Sequence, residues 1–251
     1  MKIVEGKNLS DAWNHAVQEF SNMPASMAGP CVVTFPVMEN FENIGCFEVR
    51  NKLDEALKQE GRSSVRTVAN TIFPQSLWQH HRHDRHDFFL AAEKIWPRVK
   101  MSNPHGTYFY RMIRFENGGE SVNQLEHIIT TWRRKNYRRS ALHAGIFDPR
   151  EDHTHQSIKQ FPCLQQVAFH PSGSKGVDGL SVVAFYANQI LFEKAFGNYL
   201  GLMRLGQFMA REMGLKLKKV TCVASYLKLS SGKLRPSAKA LADDLRKYTA
   251  A

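Results

Sequence analysis

The sequence predicts an α+β fold in which helices flank a central twisted mixed sheet, within one domain that spans residues 1–251. Two kinds of segment predict this fold. Short apolar runs rich in β-branched and aromatic residues are typical of strands, and longer stretches with apolar residues three or four positions apart are typical of amphipathic helices. These segments are interspersed along the chain, and no internal repeat or low-complexity tract interrupts them.

Three amphipathic stretches are the main predicted helices. Residues 9–20 follow helical spacing with Ser10 as candidate N-cap, residues 122–132 place Leu125, Ile129 and Trp132 on one face, and residues 199–213 end at Gly214. Further helices are predicted at residues 47–60 and 88–96, with a divergent carboxy-terminal helix within 235–251. The predicted strands are residues 31–36, 67–73, 161–169 and 180–186, and the predicted loops are residues 116–120 and 172–179.

Charge and cysteine content narrow the class of protein. Lysine and arginine outnumber aspartate and glutamate 34 to 23, a net charge of +11 that attracts phosphates on either a nucleotide or a nucleic acid. No apolar run approaches the roughly 18 residues of a membrane-spanning helix, and no secretory signal pattern is present. The four cysteines (Cys31, Cys46, Cys163 and Cys222) fit neither a metal spacing nor a disulfide framework, so a cytoplasmic location is expected.

Residues 80–87 form the most unusual local run, with four histidines and two aspartates interleaved with arginines. Histidine and carboxylate side chains are metal ligands, but alternating arginines oppose a divalent cation. The pattern therefore favours a solvated polar loop over a metal site.

Cys163 is the candidate nucleophile. It follows Pro162, which suits the first position of a strand because it has no N–H, and the apolar run behind it reads as a buried strand. A thiol at a strand mouth can face a cleft, and its thiolate can attack carbon. The alternative is a small buried hydrophobe, which is a frequent role for cysteine.

The order of four motifs resembles the thymidylate synthase and pyrimidine (dCMP/CMP) hydroxymethylase family. An Arg138-Arg139 pair is followed by Pro162-Cys163, then by two strands, and then by Asn198 at the start of a long helix. The resemblance is clearest over residues 138–215. It implies a thymidylate synthase-like fold, a sheet-to-sheet homodimer, and transfer of a methyl or hydroxymethyl group to C5 of a pyrimidine nucleoside monophosphate. The implied cofactor is 5,10-methylenetetrahydrofolate.

The resemblance also implies a role for each candidate residue. Cys163 would add to C6 of the pyrimidine, Asn198 would pair with a uracil edge, and Glu93 would relay protons through water. The remaining assignments are Tyr108 beside the nucleophile, Trp96 at the folate, and substrate contacts from Arg62, Asn188, Arg138 and Arg139, of which the last two would come from the partner subunit.

Each assignment has a structural alternative. Arg62 would be an arginine in a surface turn, Glu93 an exposed helical glutamate beside a packed Trp96, and Asn198 a helix N-cap. Tyr108 would be a core aromatic of a strand. Arg138 and Arg139 would belong to a solvated helix end or a nucleic-acid-binding patch.

Several family positions are changed. Leu164 replaces the histidine after the cysteine, Ala187 replaces a phosphate-binding arginine, and Ile190 replaces the aspartate that holds the pterin. Leu227 and Leu229 replace the histidine and tyrosine that hold the sugar hydroxyl. Three functions stay open in this order: a C5 transferase, a catalytically impaired relative that binds a nucleotide or a protein, and a basic nucleic-acid-binding module.

Overall fold

The computed structural model describes residues 1–24, 29–38, 47–81, 84–117, 119–135, 138–155, 162–172 and 179–248. The fold is α+β, with a mixed central sheet flanked by helices, as the sequence predicts. Cys46, Phe161, two residues of the histidine-rich run (Arg82 and His83) and the end of the carboxy-terminal tail lie outside the described residues.

Seven of the strands described form the central sheet, in the order β1-β2-β9-β7-β6-β5 with β8 beside β9. The pairs β1/β2, β7/β9 and β8/β9 are parallel, and the pairs β2/β9, β6/β7 and β5/β6 are antiparallel. Strands β3 and β4 form a separate hairpin. The bounds are β1 Lys2–Glu5, β2 Gly29–Pro36, β3 Phe115–Asn117, β4 Glu120–Val122, β5 His143–Gly145, β6 Leu164–Ser172, β7 Gly179–Tyr186, β8 Gln189–Ile190 and β9 Leu217–Lys228.

The helices begin at residues whose side chains cap them. Asn8, Asp84, Thr107 and Asn123 each accept a hydrogen bond from a backbone N–H of the first turn. The bounds are α1 Leu9–Ser21, α2 Phe47–Gln59, α3 Val65–Asn70, α4 Gln75–His80, α5 Arg85–Ser102, α6 Tyr108–Ile113, α7 Gln124–Arg133, α8 Pro149–Asp152, α9 Phe196–Glu212 and α10 Arg235–Leu245. A π-helical turn, Leu191–Ala195, runs directly into α9.

The hydrophobic core lies between one face of the sheet and helices α1 and α9. Trp13 of α1 packs edge-on against Phe196 at the start of α9, with ring centroids 5.4 Å apart. Helix α3 covers α9 so closely that a methyl group on Gly197 would lie 2.8 Å from the Val65 carbonyl oxygen. This close packing holds the first turn of α9, which includes Asn198, in a fixed position against α3.

The opposite face of the sheet, here called the open face, carries apolar side chains. Ile3, Val32, Val223 and Phe185 lie side by side across four neighbouring strands, and Val183 lies in the next row. Ile3 is 64% exposed, Val183 37% and Phe185 36%.

Several local predictions were wrong. Residues 67–73 belong mostly to helix α3 instead of a strand, because Ser64 accepts from the N–H of Thr67 and the helix packs on α9. Glu116, Asn117 and Glu120, which were predicted to lie in a loop, belong to strands β3 and β4 of a hairpin. The cap of α1 is Asn8, not Ser10. A short 3₁₀ turn, Arg139–Ala141, lies between Arg138 and β5.

Within the described part of the chain, no helix is both long and apolar enough to cross a membrane.

Candidate functional site

Cys163 lies at the mouth of β6, as the sequence predicts. Its carbonyl accepts from the N–H of Ala187 at 2.9 Å, so the start of β6 is tied to the end of β7. The side chain of Gln165 donates to the carbonyl of Pro162 at 2.8 Å and closes the turn. The thiol is partly buried, which leaves it access to solvent that the fully buried Cys31 and Cys222 lack.

Two tyrosines adjoin Cys163. Tyr108, the first residue of α6, has its hydroxyl hydrogen-bonded by the backbone N–H groups of Cys163 and Leu164, and burial raises its pKa above the ordinary value. Tyr108 therefore stands beside the candidate nucleophile, on a helix and not on a strand. Tyr186, at the end of β7, is fully buried, and its pKa is raised by burial and by neighbours that include Tyr108 and Cys163.

The pKa of the Cys163 thiol is raised by burial, and the positive charge of Lys194 opposes that rise. Lys194 is exposed and belongs to the π-helical turn before α9. Ala187 offers the thiol no positive charge, and Lys194 supplies one from the turn before α9. Lys194 was missed because the helix was predicted to start at Tyr199, which left the preceding turn without an assigned place.

Asn198 lies in the first turn of α9 and is 5% exposed. Its alternative role as an N-cap is wrong, because the π-helical turn continues into α9 and the preceding residues are already helical. No hydrogen bond of its side-chain amide is found among the described residues. An amide that is buried, rigidly held and uncommitted is available to a ligand.

The ends of β7, β8 and β9 collect buried polar atoms that have no hydrogen-bond partner. Tyr186 and Asn188 contribute oxygens, Gln189 its side-chain nitrogen, and Glu193 and Ser230 further oxygens. The other polar atom of Gln189 and of Glu193 is paired. The Tyr199 hydroxyl donates to Oε1 of Gln189 at 3.0 Å, and the N–H of Ser231 donates to Oε1 of Glu193 at 3.0 Å. Five of the nine such atoms in the described residues lie here. Buried polar groups are normally paired, so this concentration at the strand ends is a candidate ligand site, in which the Tyr186 hydroxyl is the part that adjoins Cys163.

Glu93 and Trp96 form a second group, on α5. Trp96 stacks on Tyr110 with ring centroids 4.0 Å apart, and the carboxylate of Glu93 adds to the effect of burial in raising the pKa of Tyr110. Glu93 itself is exposed. Helix α6 links the two groups, because Tyr108 reaches Cys163 while Tyr110 reaches Trp96.

Two clefts flank Tyr110. The first, about 230 Å³, is polar and has Trp96, Arg111 and Arg114 in its wall. The second, about 260 Å³, is more apolar and includes Asn70, whose side-chain oxygen is buried without a partner. Cys163 is not among the described residues that line either cleft, so the structure does not join Glu93 and Trp96 to Cys163 in one cavity.

The three predicted phosphate-binding arginines are all exposed. Arg62 precedes α3, whose first residue touches α9 beside Asn198. Arg138 and Arg139 lie near the other end of β6, since the carbonyl of Leu142 accepts from the N–H of Phe169. Phe169 is five residues beyond Leu164, about 17 Å at 3.3 Å per residue, so Leu142, which follows this pair by three residues, lies about that far along β6 from its mouth.

Apolar side chains occupy the positions at which the resemblance implies contacts to a sugar and a pterin. Leu227 is fully buried and Leu229 is 2% exposed, so neither offers a hydrogen bond to a sugar. Ile190 pairs with Lys228 across β8 and β9 and presents no carboxylate to the N–H groups of a pterin. The residues present therefore do not fit the folate contact that the resemblance implies. No group of histidine, cysteine and carboxylate side chains able to hold a metal is found in the described ranges.

No family model matches the sequence, and none of the curated proteins matches it.

Proposed function

We propose that this protein binds a pyrimidine nucleoside monophosphate and transfers a one-carbon unit, methyl or hydroxymethyl, to C5 of the base through a covalent adduct of Cys163 with C6. The observation that supports it is the set of unpartnered buried polar atoms at the ends of β7 to β9, next to a partly exposed thiol. A heterocycle with ring carbonyls and N–H groups would pair with such a set.

The reaction begins when the thiol of Cys163 loses its proton to water at the strand mouth. The thiolate forms a bond to C6, and the π electrons of the C5–C6 bond move to C5, where they are delocalised onto O4. C5 then bonds to the carbon of a one-carbon donor: either an activated methyl group, whose carrier leaves with the electron pair of its bond to carbon, or formaldehyde, whose oxygen takes the π electrons and is protonated by water. A base removes the C5 proton, the sulfur–C6 bond breaks, and its electron pair returns to the sulfur.

The neighbours of Cys163 serve the thiolate that this step requires. Lys194 supplies a positive charge, and the hydroxyl of Tyr186 gains a partner when the sulfur becomes negative. Tyr108 receives the N–H groups of Cys163 and Leu164 and holds the nucleophile in place. Burial keeps the thiol protonated in the free protein, which protects it until substrate arrives.

Substrate recognition is assigned to polar side chains around this nucleophile. Asn198 pairs with the O4 and N3–H edge of a uracil-type base, and Asn188 offers its unpartnered oxygen to the substrate. Arg62 contacts the phosphate. Glu93 acts through water, and Trp96 lines the approach of the one-carbon donor. Because Ile190 does not fit the pterin, no step is assigned to folate.

A homodimer through the open face completes the proposed site. The row Ile3, Val32, Val223 and Phe185 is apolar across four strands of the open face, and a second copy would bury it. Arg138 and Arg139 lie just before Leu142, which contacts β6 away from its mouth, whereas a partner across the open face could bring its pair to that site. Sedimentation at micromolar concentration tests this, with a dimer expected and a monomer contradicting it.

Two observations favour a second function, binding without catalysis. Burial raises the pKa of the Cys163 thiol, and the buried Leu227 and Leu229 offer no hydrogen bond to a sugar. In this second function, the protein binds a nucleotide or a protein partner without catalysis. Both functions share the nucleotide site, so binding does not separate them, but turnover does.

Isothermal titration against uridine, deoxyuridine, cytidine and deoxycytidine monophosphates tests the binding proposal. We expect one monophosphate to bind, and Asn198→Asp to shift preference from uracil toward cytosine because an ionised carboxylate only accepts hydrogen bonds. Base preference unchanged by Asn198→Asp would remove Asn198 from the site. Binding of oligonucleotides alone would replace the proposal with a nucleic-acid-binding function.

A further inference from the structure

A cluster of three arginines, here called the arginine cluster, lies where α2, α3 and α9 meet. It comprises Arg50 on α2, Arg66 on α3 and Arg204 on α9. The positive charges of Arg50 and Arg66 both act on the guanidinium group of Arg204. Arg50 and Arg204 are partly buried, and Arg66 is exposed. The cluster is formed by helices and not by the strand ends that carry the Cys163 site.

The guanidinium groups of the arginine cluster are incompletely paired. Nη1 of Arg204 and Nε of Arg50 are buried without a hydrogen-bond partner. Arg66 donates to Ser76 at 2.9 Å, which is a neutral acceptor. Gln207, one turn beyond Arg204 on α9, also has a buried amide oxygen without a partner.

Negative charge at the cluster is scarce. Asp54 lies 3.7 Å from Nε of Arg50, and its other oxygen accepts from the N–H of Val65 at 2.7 Å. No carboxylate among the described residues offsets the charge of Arg204, and burial, with Arg50 and Arg66 next, lowers the pKa of Arg204 from 12.5 to about 10. Asp54 pairs with Arg50, and no ion pair of Arg66 or Arg204 is found among the described residues, so the three cations repel one another at a cost to folding.

We propose that the arginine cluster is an anion site for the phosphate group of a small molecule, separate from the nucleotide site at Cys163. A tetrahedral dianion matches guanidinium forks from several directions and would satisfy the unpaired nitrogens of Arg50 and Arg204. A half-turn of the Gln207 amide would direct its N–H donors to the same anion. Arg66 is exposed, so the rest of the ligand would extend from this edge into solvent.

Thermal unfolding with inorganic phosphate, against sodium chloride of equal ionic strength, tests the proposal. We expect phosphate at about ten times its dissociation constant to raise the Tm of the wild-type chain by roughly 3–5 °C. Phosphate also stabilises proteins by exclusion from their surface, so the comparison with a variant decides. In Arg204→Met the extra rise should vanish, and its Tm in chloride should exceed that of the wild type because a buried unpaired charge is gone.

Arg98→Met is the matched control, since it removes one exposed arginine from α5 and should retain the full phosphate response. Arg204→Met should bind the nucleoside monophosphate as the wild type does in calorimetric titration, which separates this site from the substrate phosphate. An equal response in Arg204→Met and wild type, or a lower Tm of Arg204→Met in chloride, would overturn the proposal. A single-stranded oligonucleotide that protects through Arg204 while phosphate does not would also overturn it, in favour of a nucleic-acid contact.

Discussion

Replacing Tyr186 by phenylalanine tests whether its hydroxyl is unpaired in the free protein and becomes a hydrogen-bond donor to the Cys163 thiolate. The side chain is fully buried and its hydroxyl has no partner. A buried unsatisfied hydroxyl costs about 1–3 kcal/mol, so its removal should raise the free energy of unfolding by about 1 kcal/mol or more. In a chain of this size that corresponds to a Tm increase of roughly 2–4 °C per kcal/mol.

Tyr199→Phe is the matched control. Tyr199 is equally buried, but its hydroxyl donates to Gln189 at 3.0 Å. Its removal leaves the Gln189 oxygen unpaired and should lower stability by about 1–2 kcal/mol.

Thermal and urea unfolding of the two variants should therefore give opposite signs. Tyr186→Phe should also move the pH at which Cys163 reacts with iodoacetamide upward, because the thiolate loses a donor. If both variants destabilise the protein, the Tyr186 hydroxyl has a partner in solution, and the cluster of unpaired atoms does not mark a site.

Three further variants test other parts of the account. Lys194→Met should slow alkylation of Cys163 at a given pH, followed by peptide mapping, and Lys194→Arg should not; equal rates in all three proteins would exclude Lys194 from the thiolate environment. Ser64→Ala should cost about 1 kcal/mol by removing the cap of α3, measured by urea unfolding, while the exposed neighbour Ser63→Ala should cost little. Glu126 is held by two hydrogen bonds from Arg85, at 2.7 and 2.9 Å, which lower its pKa. Its stabilisation is complete above the ordinary pKa of 4.5 and is lost as the pH falls through its lower folded value, so Glu126→Gln should cost up to about 1 kcal/mol at pH 7 and progressively less below pH 4.5. A pH-independent cost would contradict that ion pair.

Segments with a strong period were predictable from the sequence. Helices α1, α2, α7 and α9 and strands β2, β6 and β7 fall close to their predicted positions, because burial on one face fixes the spacing of apolar residues. Residues 67–73 were not predictable in the same way. Their β-branched side chains favour a strand, but the Ser64 cap and the packing of α3 against Gly197 of α9 make a helix.

Only the part of the site that follows from a local sequence pattern was predictable. The placement of Cys163 at the mouth of β6 follows from Pro162 and the apolar run behind it. The nearness of Lys194, Tyr186 and Tyr108 depends on how β7, the π-helical turn and α6 converge, and no local pattern encodes that convergence. The arginine cluster was missed for the same reason, since Arg50, Arg66 and Arg204 are far apart in sequence.

The central claim is that Cys163 adds to C6 of a pyrimidine nucleotide, and intact-protein mass spectrometry with 5-fluoropyrimidine nucleoside monophosphates tests it most directly. Fluorine at C5 does not leave as a proton does, so an adduct formed with a one-carbon donor present persists. We predict a mass increase of one nucleotide plus the transferred one-carbon unit on the wild-type chain, mapped to Cys163 and absent in Cys163→Ser. An adduct that survives Cys163→Ser, or no adduct with any of these nucleotides and donors, would contradict the account.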